Sequence, residues 1–190
     1  MNRKSVLRFR INGAAHEIAA HPAERLIDVL RNQAAFTSVK EGCGTGQCGA
    51  CTVLLDGRPV VSCLVFAGDA VGREITTVEG LRENGRLHPL QEAFISHGAV
   101  QCGFCTPGML LAAKALLDEN PTPTVEEIKH ALTGNLCRCT GYRKIIEAIQ
   151  SVAGAAPAER RGLGTEVPRQ RGARRTAPAP ARAARKGADR

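Results

Sequence analysis

Any chemistry in this 190-residue chain starts from its eight cysteines, whose positions fall into patterns of ligand spacing. Cys43, Cys48 and Cys51 form C-x4-C-x2-C, and Cys63 follows after an eleven-residue gap. That is the ligand order of a plant-type 2Fe–2S ferredoxin, scaled to a short tail. Cys102 and Cys105 form C-x2-C, and Cys137 and Cys139 form C-x-C. Two thiols do not close a four-ligand site, so these two pairs are natural partners. The chain reads as two four-cysteine metal sites in series.

The first set sits in a loop with Gly42, Gly44, Gly46 and Gly49, four glycines in eight residues. Such density forbids regular structure and lets backbone N–H groups approach a ligand closely. A cluster of bridging sulfides and four thiolates carries net negative charge, and those N–H donors suit it. Zinc is the rival, but zinc ligands usually come as two C-x2-C knuckles, and here only Cys48 and Cys51 are so spaced. Gly44 to Gly49 also satisfies G-x-G-x-x-G. A dinucleotide turn must open a helix, whereas Thr52 to Asp56 continues as a strand, so the match follows from glycine density alone.

The second set is open on spacing. A lone C-x2-C also occurs in thioredoxin-like redox motifs, which need a βαβ setting that these helical flanks lack. Zinc, an iron–sulfur cluster and a disulfide pair all remain. Helices starting after Cys105 and Cys139 would bring both pairs to one end of a bundle, with helix N-termini favouring an anionic cluster.

The elements that must position these loops are legible. Residues 4–20 pattern as a hairpin about Asn12-Gly13, and Arg25 to Asn32 has a short helical spacing. Thr52 to Asp56 and Pro59 to Leu64 are strands, as is Ile75 to Val78. Four helices follow: Leu87 to Ser96, with Leu87, Leu90, Phe94 and Ile95 on one side; Met109 to Asp118 behind an N-cap at Thr106; Thr124 to Leu132, opened by a capping box; and Arg143 to Val152. The class is α+β: a strand-rich domain over residues 1–81, then a four-helix domain over 82–154. Residues 155–190 are rich in Ala, Pro, Gly and Arg with no period, which predicts a basic disordered tail.

Hydrophobic content is 43% but aromatics only 3%, so each half buries a modest core and benefits from a metal staple. The net charge of +8 is concentrated: residues 157–190 hold ten of the 26 basic residues and three of the 18 acids. The body is close to neutral, which argues against a nucleic-acid partner. No run approaches the roughly 18 apolar residues of a membrane span. The first residues lack the apolar stretch of a secretory signal, which gives cytoplasm as the expectation, and cysteines in that compartment point to metal more than to disulfides.

Gly42 to Val53, Gln101-Cys-Gly-Phe-Cys-Thr-Pro-Gly-Met109 and Asn135-Leu-Cys-Arg-Cys-Thr-Gly-Tyr142 together resemble the iron–sulfur small subunit of the xanthine oxidase family of molybdenum hydroxylases. The resemblance covers roughly residues 3–153. It implies a β-grasp 2Fe–2S ferredoxin domain holding one cluster on Cys43, Cys48, Cys51 and Cys63. A four-helix domain would hold the second on Cys102, Cys105, Cys137 and Cys139. It also implies a large partner subunit carrying molybdopterin, with Gln101 and Cys139 nearest the pterin, and in some members a medium FAD-binding subunit. The chain itself holds no catalytic acid, base or nucleophile on this reading. Two rivals stand beside it: a free-standing ferredoxin-like carrier, and a zinc-stapled module using the Arg-rich tail on nucleic acid.

Overall fold

The computed structural model describes residues 4–154, so the tail expected over 155–190 lies outside the described residues. The chain opens with β1 (Ser5–Ile11) and β2 (Ala14–Ala20), paired antiparallel from Ser5↔Ala20 to Ile11↔Ala14. Asn12 and Gly13 both take positive φ, 53° and 79°, as a two-residue hairpin turn demands. Asn12 has a second task. Its side-chain amide donates to Thr77 Oγ1 at 2.9 Å and accepts from the Thr77 backbone amide at 2.8 Å, which pins the turn to the residue that follows the strand next to β1.

Leu7, Phe9 and Ile11 alternate inwards along β1 onto α1 (Leu26–Asp28). This helix runs on into a π-helical turn over Val29–Gln33, where the Ala34 amide reaches the Val29 carbonyl at 2.9 Å. Leu26, Ile27, Val29 and Leu30 are all fully buried. The short helix expected over Arg25 to Asn32 is therefore present, with its buried residues on one face and Asn32 and Gln33 exposed on the other. β3 (Thr52–Leu55) and β4 (Arg58–Val61) form a second hairpin, and β5 (Glu74–Thr76) joins the two. The sheet order is β2-β1-β5-β3-β4, with β5 parallel to β1 and antiparallel to β3.

Four helices follow: α2 (Pro89–Ser96), α3 (Thr106–Glu119), α4 (Val125–Ala131) and α5 (Arg143–Val152). Leu90, Phe94, Met109, Leu111, Leu117, Ile128, Ile145 and Ile149 fill their core. Two starts differ from expectation. Helix α2 begins at Pro89, because the His88 ring accepts from the Leu90 amide and Gln91 reaches back to the His88 amide at 2.9 Å. Leu90, Ala93 and Phe94 then form the buried stripe, and Ile95, one step round the helix, is exposed. In α3 Thr106 is the first helical residue and Cys105 takes the cap position.

The halves share β3, all four of whose residues are buried. Val53 and Leu55 join the core under the sheet, while Leu54 joins the helical core on the opposite face. A strand covered on both sides reads as a continuous apolar run, as Thr52-Val-Leu-Leu55 does.

Candidate metal centres

The loop carrying Cys43, Cys48 and Cys51 lies between α1 and β3, and its entry is tied down by charge. Arg25 donates to Asp28 at 2.7 and 2.9 Å and to Glu41 at 2.6 Å, fixing the residue two before Cys43. Arg31 donates to the carbonyls of Thr37 and Val39. Inside the loop, a Cβ on Gly42 would stand 2.8 Å from Cys48 Sγ, so glycine is what lets the backbone close on the thiols. Cys63 lies in the 3-10 turn Ser62–Leu64 that follows β4. Ser62 binds the Cys51 carbonyl through its hydroxyl at 2.7 Å and its amide at 3.3 Å, which locks Cys63 against Cys51.

The thiols of this loop differ in electrostatics. Hydrogen bonds from the Thr45 hydroxyl and amide, with help from Cys48, lower exposed Cys43 to about 6. Burial first, and then the neighbouring Cys63 thiol, push Cys51 up to about 11. Cys43 thus lies beside Cys48, and Cys51 beside Cys63.

The second site forms where the segment before α3 meets the segment before α5. Cys139 Sγ and Cys102 Sγ are 3.5 Å apart at the surface. Further in, Cys105 faces Cys137, and burial followed by that neighbour push Cys105 up to about 12. For Cys137, burial works upwards but is outweighed by the Thr140 hydroxyl at 3.0 Å and amide at 3.4 Å, so its pKa falls. Tyr142 closes the turn from a left-handed backbone, φ 67°. Its hydroxyl accepts from the Cys137 amide at 2.8 Å and donates to the Asn135 carbonyl at 3.3 Å. The N-terminus of α3 begins directly after Cys105, and that of α5 after Tyr142.

The thiols therefore gather two by two: 43 with 48, 51 with 63, 102 with 139, 105 with 137. Among the described residues, no three His, Cys, Asp or Glu side chains converge as they would on one metal ion. Two thiolates in contact repel unless positive charge lies between them. Pairs of thiolates at each end of a two-iron unit, with N–H donors to sulfur, are the arrangement a 2Fe–2S cluster needs. The donor set fits that group better than tetrahedral zinc.

The two loops touch. The Leu136 amide donates to the Cys48 carbonyl at 2.9 Å, which joins the neighbour of Cys137 to a residue of the first set. Asn135, buried at 5% exposure, donates to the Gly49 carbonyl at 2.9 Å and to Thr52 Oγ1 at 3.2 Å. The Phe104 ring edge lies 3.5 Å from where a Cβ on Gly42 would stand. Residue type and spacing assign neither Asn135 nor Tyr142 a role. Gly108 was a usable signal, since a glycine in the first turn of a helix costs stability unless something must come close. Gln101 is exposed beside Cys102, at the surface end of the second site.

Comparison with known proteins decides the lineage. A 2Fe-2S iron-sulfur cluster binding domain matches residues 9–76, and a [2Fe-2S] binding domain matches residues 77–150. The chain is 54% identical over 147 residues to the nicotinate dehydrogenase small FeS subunit of Eubacterium barkeri, covering 77% of this chain and 94% of that one. The chain belongs to the iron–sulfur small subunits of the xanthine oxidase family. Within that family it is also 53% identical over 144 residues to the nicotine 6-hydroxylase small subunit of Paenarthrobacter nicotinovorans, covering 76% and 87% of the two chains. The crystal structure of quinoline 2-oxidoreductase from Pseudomonas putida 86 superposes with a TM-score of 0.77. It is 46% identical, and the match covers 80% of this chain and 93% of that one.

Proposed function

We propose that this chain is the electron-transfer subunit of a molybdenum hydroxylase, with Cys43, Cys48, Cys51 and Cys63 holding one 2Fe–2S cluster and Cys102, Cys105, Cys137 and Cys139 the other. The N-terminal half is then a β-grasp ferredoxin domain, residues 1–81, and the C-terminal half, 82–154, a four-helix cluster domain. Each cluster supplies a one-electron station. The protein's part is to hold the stations, shield the inner thiols and set the gap between them.

The observation that carries this reading is the hydrogen bond from the Leu136 amide to the Cys48 carbonyl, which joins the two cysteine loops directly. Cys102 and Cys139 lie at the surface, so the second site is the entry from a large molybdopterin-bearing partner, met by Gln101 and Cys139. Electrons then pass to the first site, whose exposed Cys43 faces the exit, to FAD on a medium partner subunit or to an external acceptor. We place the complex in the cytoplasm, where free thiols stay reduced until metallated.

Exposed apolar side chains favour a subunit over a free-standing carrier. Val100, Phe104 and Leu136 at 38, 45 and 57% exposure surround the second site, and Leu64 and Phe66 at 61 and 54% lie next to the first. Such groups on a small protein mark surfaces meant to be covered.

The test is iron, acid-labile sulfide and zinc analysis of the anaerobically purified full chain, with EPR after dithionite reduction. About four irons and four sulfides per chain with two distinct reduced signals is the expected result. Zinc without sulfide would overturn it.

A further inference from the structure

Asn135 is one of few polar residues buried among the described residues, and it lies where both cysteine loops meet. Its side-chain amide donates to the Gly49 carbonyl at 2.9 Å and to Thr52 Oγ1 at 3.2 Å, while Thr52 Oγ1 itself donates to the same carbonyl at 2.7 Å. Gly49 follows Cys48, and Asn135 precedes Leu136 and Cys137. The backbone bond between the sites, Leu136 amide to Cys48 carbonyl at 2.9 Å, is therefore flanked by the Asn135 side-chain bond one residue away along each loop.

The surroundings are built for this contact. A Cβ on Gly49 would stand 2.7 Å from Asn135 Nδ2, and a Cβ on Gly108 3.0 Å from the same atom. Tyr142 holds the other end of Asn135, donating to its carbonyl at 3.3 Å while accepting from the Cys137 amide at 2.8 Å. Asn135 is thus gripped on its side chain by the first loop and on its backbone by the second. A hydrophobic residue of the same size would fill the space but leave the Gly49 carbonyl with fewer donors.

We propose that Asn135 is a positioning residue for electron exchange between the two sites: its bond to the Gly49 carbonyl holds the Cys48 carbonyl at bonding distance from the Leu136 amide. This rests on the two-cluster reading above. Electron transfer weakens steeply with separation, and this bond joins Cys48 of one set directly to the residue before Cys137 of the other. Asn135 touches no thiol in the hydrogen bonds described, so its removal acts on the gap and not on cluster ligation.

The experiment uses the full chain in its complex. Iron and sulfide content of the wild-type complex comes first; fewer than two clusters per small subunit would sink the two-cluster reading before Asn135 is tested. Asn135→Asp, which keeps the shape and removes the amide donors, and Asn135→Leu are then compared with wild type. Three quantities are read: cluster content, the midpoint potential of each cluster, and the rate of electron exchange between them after photoreduction. Misplacing reacting groups by about 1 Å can cost up to about a hundredfold in rate, so a fall of roughly tenfold in exchange is expected. Cluster content should stay at the wild-type value in both variants, and both potentials should stay at wild type in the uncharged Asn135→Leu. Thr52→Val, which leaves the Asn135 to Gly49 bond in place, should show a smaller fall. Wild-type exchange in fully loaded Asn135→Asp would overturn the proposal. Loss of either cluster in that variant would overturn it as well, since it would assign Asn135 to cluster retention.

Discussion

The carbonyl oxygen of Gly49 occupies the space in which a side chain on Gly108 would begin. A loop carrying the first set of cysteines thus rests against the opening turn of α3, the helix that starts directly after Cys105. On an exposed helix, replacing this glycine with alanine would stabilise by about 1 kcal/mol. Here Gly108→Ala forces a Cβ into backbone and is expected to destabilise by roughly 1–3 kcal/mol instead, as overpacking does. Urea unfolding of the loaded chain decides it; a midpoint at or above wild type would refute the close packing.

The pairing of thiols predicts separable sites. Cys51→Ser should lower iron from about four to about two per chain and abolish one reduced EPR signal, leaving the other. Cys105→Ser should do the reverse. If either substitution erased both signals while the chain stayed folded, the assignment of cysteines to sites would be wrong.

Glu79 carries an acid-sensitive link within the first half, between the segment at Ser38 and the one that follows β5. Its carboxylate accepts from the Ser38 hydroxyl and amide at 2.5 and 3.3 Å and from the Thr77 hydroxyl at 2.6 Å. Desolvation works to raise its pKa, but these bonds prevail and hold it below the ordinary 4.5. A depressed carboxylate stabilises fully above its unfolded value and loses that contribution as pH falls through the folded one. Stability should therefore decline below about pH 4.5, and in Glu79→Gln the decline should be shallower. Denaturant midpoints at pH 7 and pH 4 for both proteins measure it; parallel pH curves would dismiss the link.

Thr124 caps α4 in a reciprocal box with Glu127, the carboxylate taking the Thr124 amide at 2.7 Å. That amide, then the Thr124 hydroxyl, hold the Glu127 carboxyl below its usual range. Thr124→Ala should cost about 1 kcal/mol. The same unfolding assay reports it, and because the cap is remote from the cysteines, iron content should not change.

Removing residues 155–190 should leave both clusters and their electron exchange intact, since ligands and cores lie within the described residues. Binding of the full chain to a nucleic acid at physiological salt, lost on truncation together with function, would favour the tail-centred rival.

Much of this was written in local sequence. Asn12-Gly13 gave the hairpin, and Thr124 and Glu127 the start of α4, because each is set by neighbours a few residues apart. What spacing did not show depends on distant segments. The start of α2 is moved by the His88 cap, and the π-helical turn at Val29–Gln33 has no signature in the local spacing. Asn135 resembles any loop asparagine until Gly49, 86 positions away, comes into contact with it. The pairing of thiols likewise needed coordinates, since four ligands in sequence order admit several partnerships.

Because β3 has no face open to water, the connection at residues 82–86, itself exposed, is not what holds the halves together. Leu54 is embedded in the helical core and Asn135 is bonded into the first loop. A protease that nicks this connection should release nothing: the two fragments would co-elute and keep their colour, and would part only when the whole molecule melts.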